Sequence, residues 1–87
     1  MGPTKVGAVF PIYRRLRGGH HLYMIQAADE FEELQRIGAR WVRHRIRATA
    51  YPELLRIHEM CAASDPYALS DAGEWQAALA ITYTNSH

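Results

Sequence analysis

The chain has 87 residues, 48% of them hydrophobic and 22% charged, a balance that excludes a disordered polymer and allows one domain with a thin core. Its formal charge of +1 excludes attraction of a polyanion or a polycation by net charge alone. A single cysteine, Cys61, excludes an internal disulfide, and no apolar run approaches the roughly 20 residues of a membrane helix.

The expectation from these features is one domain over 1–87, cytoplasmic and without a membrane segment, with 1–5 and 85–87 frayed. Val6 to Leu16 is rich in β-branched and aromatic residues, Gly18 and Gly19 interrupt it, and His21 to Gln26 resumes the pattern. That is a hairpin signal. Pro11 lacks a ladder donor, so the first strand is expected at a sheet edge or at a bulge.

Asp29, with Glu32 three residues on, has the form of a capping box, and Gly38 has the form of a helix end. Phe31, Leu34 and Ile37 recur at helical spacing between them, so the pattern predicts a first helix over 29–38. Residues 39–49 then alternate with period two. Trp41, Arg43, Arg45 and Arg47 take one parity, and Val42, His44, Ile46 and Ala48 take the other, which is expected to face the helices.

Pro52 suits the first position of a second helix whose apolar stripe is Leu54, Leu55, Ile57, Met60 and Cys61. Ser70 is expected to cap a third, with Trp75, Ala78 and Leu79 on its apolar face. Residues 81–84 fit either a continued helix or a short strand. The order ββαβαα predicts an α+β fold, a small two-layer sandwich with a three-stranded, mainly antiparallel sheet and helices on one face.

Charge follows these predicted elements. Residues 1–28 carry +4, 29–37 carry −3, 38–51 carry +4 and 52–87 carry −4, so a basic sheet is expected to back onto acidic helices. The uncovered sheet face would then present Trp41, Arg43, Arg45 and Arg47, joined by Tyr13, Arg15 and Met24. Arginine, methionine and aromatic residues are the types enriched where proteins meet. The function expected from this face is that of a small non-enzymatic binding or regulatory protein, homodimeric or bound to another protein. The alternative is an RNA or single-stranded DNA binding protein using the same residues, with guanidinium groups on phosphates and rings on bases.

Catalytic patterns are weak by comparison. His20 and His21 adjoin in a turn, and no cysteine pair accompanies them, so no metal site is expected. His58 and Cys61 stand three apart on one helix, but the surrounding Leu54, Ile57 and Met60 predict a buried thiol rather than a nucleophile. Gly18 and Gly19 lack the strand-to-helix setting of a phosphate loop. A thin two-layer domain also leaves little room for a substrate pocket, so neither cofactor nor small-molecule substrate is expected.

Overall fold

Residues 9–81 are described by the computed structural model; the ends expected to fray, the start of the first predicted strand and residues 82–84 lie outside them. Four consecutive strands open the fold: β1 (Ile12–Leu16), β2 (His21–Ala27), β3 (Glu30–Ile37) and β4 (Arg40–Arg47). The helix α1 (Tyr51–Cys61), the short strand β5 (Tyr67–Leu69) and the helix α2 (Ala72–Ala80) follow. The sheet order is β4-β3-β2-β1-β5, with every neighbouring pair antiparallel. The α+β class and the antiparallel sheet are as expected. The sheet has five strands rather than three, and the element order is ββββαβα rather than ββαβαα.

The largest departure is the predicted helix over 29–38, which is β3. Phe31 and Leu34 are both fully buried, but on opposite faces of the sheet: Phe31 packs with Tyr23 and Ile25, whereas Leu34 packs with Leu22 and Trp75. A strand buried on both faces can carry apolar residues three apart, so the helical spacing here arose from two cores. Gly38 serves the tight connection to β4, where its φ of +66° suits a residue without Cβ, rather than a helix end.

The same alternation separates the helices. Ile57 and Met60 of α1 join Tyr23, Ile25, Phe31 and Tyr67, while Trp75 and Ala78 of α2 join Leu22 and Leu34. Neighbouring strand residues point to opposite sides, so α1 and α2 cover opposite faces instead of sharing one. Pro11 stands just ahead of β1, and β1 lies between β2 and β5 rather than at an edge. No ladder bond is lost, because the ring precedes the pairing.

Local chemistry fixes the helix ends. Pro52 and Glu53 occupy the first turn of α1, which suits a missing donor and a carboxylate. At its other end Ala63 adopts φ +56°, with Ala63 N donating to Met60 O and Ser64 N to Glu59 O, each at 3.0 Å. This is the Schellman pattern, built on alanine instead of glycine. Arg14 completes the cap by donating to the carbonyls of Met60 at 2.8 Å and Cys61 at 3.0 Å. The cap of α2 is Asp71, whose carboxylate accepts from Glu74 N at 2.8 Å; Ser70, expected in that role, donates its hydroxyl to the Glu74 carboxylate.

Candidate functional site

Strand register brings the seven sequence-predicted residues onto one face. Trp41, Arg43, Arg45 and Arg47 alternate along β4. One row across the sheet runs Tyr13, Met24, Glu32, Arg45, and the next runs Arg15, Leu22, Leu34, Arg43. The face is not open throughout, however, because α2 lies on its centre. Trp75 is buried against Leu22 and Leu34, its ring centroid stands 6.4 Å from that of Tyr13, and Tyr13, Met24 and Trp41 pack around the same cluster. The aromatic part of the expected surface therefore serves to seat the helix. What stays exposed is the arginine rim on β4, together with Arg15 on β1.

That rim is organised by a residue that sequence reasoning placed on a helix. Glu32 is 0% exposed, beneath two guanidinium groups. Arg43 donates from Nε to Oε1 at 2.8 Å with Nη2 at 2.7 Å, and Arg45 donates from Nε and Nη2 to Oε2 at 3.3 and 3.1 Å. Gln26 Nε2 donates to the same Oε2 at 3.4 Å. One carboxylate thus orients two arginine side chains that remain 38% and 66% exposed. Next along the strand, Arg47 Nη2 stands 3.5 Å from Glu30 Oε1. Acidic residues within the predicted first helix are the cross-strand partners of basic ones: Glu30 lies opposite Arg47, and Glu32 opposite Arg45. Their equal distance from the Gly38 turn was the sequence signal for this pairing. On this face of β3 and β4, Arg36, Arg43, Arg45 and Arg47 meet only two carboxylates.

The opposite face carries a second polar cluster that the sequence did not announce. His21 Nδ1 lies 2.6 Å from Glu33 Oε2, and the imidazole stacks on Tyr23 at 6.3 Å. Arg56 of α1 donates from Nε to Tyr67 Oη at 3.2 Å and from Nη2 to Tyr23 Oη at 3.4 Å, with its guanidinium 5.5 Å from the Tyr23 centroid and 5.4 Å from that of Phe31. Burial pushes the Tyr23 hydroxyl pKa up, and the nearby Glu33 charge adds to this against the opposing pull of Arg56. Burial works against the Arg56 charge, but hydrogen bonds to Tyr67 and Tyr23 outweigh it. His44, expected inward, is exposed, with Nε2 3.2 Å from Gln35 Oε1.

A cleft of about 960 Å³ opens between α1, the stretch leading into β1 and the start of α2, where little room was expected. Phe10, Ile12, Leu54, His58, Cys61 and Asp71 are among its walls. Three of its polar groups already serve the fold: Asp71 caps α2, Ser70 holds Glu74 and Arg14 caps α1. Burial pushes the Cys61 thiol up despite Arg14, the wrong direction for a nucleophile at neutral pH. Among the described residues, no three histidine, cysteine or acidic side chains are grouped to hold a metal, and no helix is long and apolar enough to cross a membrane.

Comparison of the chain with protein-family models, with curated proteins and with solved structures finds no match.

Proposed function

We propose that this is a small non-enzymatic binding protein that engages another protein chain along β4. One observation carries the reading: β4 is an eight-residue strand at the end of the sheet, and its arginine side chains are both exposed and held in position. An edge strand offers a row of backbone donors and acceptors to an incoming chain. Side chains fixed by Glu32 lose less conformational entropy on binding than free ones do.

The same geometry bears on the choice between a second copy and a different protein. Two copies pairing β4 against β4 about a twofold axis would set arginine opposite arginine, and like charges directly opposed across strands are unfavourable. A different chain avoids that cost. Nucleic acid is the competing ligand, and it would use the guanidinium groups but not the backbone edge.

Co-purification with mass measurement, followed by amide hydrogen exchange on the recovered complex, tests the proposal. Slowed exchange over 40–47 supports it. Slowed exchange confined to α1 or the cleft overturns it. Binding of single-stranded oligouridine with a log–log salt slope of about −2, as three phosphate contacts would give, replaces it with the nucleic-acid reading.

A further inference from the structure

We infer that the partner segment is an extended acidic peptide that adds to β4 as a further strand, with carboxylates on alternate residues opposite Arg43, Arg45 and Arg47. This rests on β4 being the binding edge. The three arginines share one parity of the strand, so they repeat about every 6.7 Å, twice the rise per residue. An extended chain presents side chains on one side at that interval. A helix repeats at about 6.0 Å for residues four apart but turns away by about 40° at each step, so it keeps fewer of the three in line.

Charge and donor count point the same way. On β3 and β4 this face has four arginines to two carboxylates, an excess of positive charge that favours an anionic partner. A guanidinium has five N–H groups, and Glu32 engages two nitrogens on each of Arg43 and Arg45. Donors therefore remain for a second carboxylate beside Glu32. On the other parity β4 carries Val42 and Ile46, both half-buried, with the exposed His44 between them. A strand laid alongside would set its intervening residues against these, so the segment alternates acidic with apolar positions.

The test compares two capped eight-residue peptides of one composition. One alternates glutamate with valine, and the other has four glutamates followed by four valines. Binding is measured by fluorescence anisotropy at low salt, with amide exchange mapping the contact. The alternating peptide is expected to bind about tenfold tighter, as modest gains at three cross-strand pairs would give, and to slow exchange over 40–47. Arg47→Glu, which leaves the Glu32 clamp intact, is expected to weaken it several-fold. Arg15→Glu, on the same face but three strands away on β1, is expected to weaken it much less than Arg47→Glu does.

Equal binding of the two peptides overturns the alternate-carboxylate inference while leaving β4 as the edge, since charge alone would then suffice. Failure of both peptides overturns the inference too, and the exchange map of the recovered complex then decides separately on β4. Tighter binding of oligouridine than of the alternating peptide, lost in Arg47→Glu, overturns both. Circular dichroism of each variant confirms that a loss of binding is not a loss of fold.

Discussion

The two faces of this sheet bury side chains by different rules. Toward α1, Tyr23, Ile25, Phe31, Ile57, Met60 and Tyr67 close a continuous core, and Arg56 satisfies two tyrosine hydroxyls at its border. Toward α2, the buried cluster is smaller, with Leu22, Leu34, Trp75 and Ala78, and beside it lies a buried carboxylate instead of another apolar side chain. A carboxylate taken from water is costly unless it is paired and hydrogen-bonded. The two arginines that meet this requirement stand on the edge strand, so stability on one face and exposed charge at its rim are the same three residues. The contrast teaches that one face mainly holds the fold together, while the other also displays a charged edge.

Two core truncations test whether the faces separate in this way. Phe31→Ala and Trp75→Ala are each expected to cost about 3–5 kcal/mol, measured by urea unfolding. That is a large share of the roughly 5–15 kcal/mol that holds a small domain folded. Their effects on binding should differ. Trp75 seats the cluster around which Trp41 and Met24 pack, so its loss should disturb the β4 rim in the molecules that remain folded, whereas loss of Phe31 should leave their affinity unchanged. Equal damage to binding by both would show that the faces are not separable.

How far this arrangement was legible follows from the parity of each strand. β4 could be read because its two parities differ sharply, arginine and tryptophan against valine, histidine and isoleucine, and Trp41, Arg43, Arg45 and Arg47 share a face for that reason; Tyr13, Arg15 and Met24 join them through cross-strand register, which no parity contrast on β1 or β2 marks. α1 and the apolar face of α2 could also be read, from Pro52 and from Trp75, Ala78 and Leu79. β3 could not, because a strand buried on both sides has no polar parity to mark it. Phe31 and Leu34 imitated a helix stripe, and Asp29 and Glu32 imitated a helix start. With β3 misplaced, the charge pairing with β4 was hidden, and the helices had no second core to divide between them. β5 is only three residues long, too short to show a period, and the backbone bonds to β1 that define it are not local in sequence.

A smaller effect is expected at the clamp. Arg43→Ala leaves Glu32 buried with only Arg45 and Gln26, and is expected to cost about 2–3 kcal/mol, as for a buried charge stripped of one partner whose side chain was partly exposed. Adding Glu32→Met removes the stranded carboxylate, so the double variant should be more stable than Arg43→Ala alone. This sign reversal is the signature of coupling in a double-mutant cycle. Strictly additive costs would mean that the arginines do not hold the carboxylate. On the other face, breaking the partly exposed His21–Glu33 pair by His21→Phe should cost less, about 1 kcal/mol or below.

The smallest effect distinguishes the faces by pH. Tyr23, with its hydroxyl raised above the ordinary 10.0 by burial and then by Glu33, binds its proton more tightly in the folded protein than in the unfolded chain. Its contribution is therefore complete below pH 10 and is lost as pH climbs through the raised value, because the unfolded chain ionises first. Cys61, raised by burial from 9.0, acts in the same direction from a lower pH. The urea midpoint should fall on the alkaline side, and Tyr23→Phe, which removes the ionisable hydroxyl while keeping the ring, should flatten that fall more than it changes stability at pH 7. Arg43→Ala, acting on the other face, should lower the midpoint without flattening its alkaline fall. A flattened fall in that variant would mean that the α2 face also carries the alkaline titration.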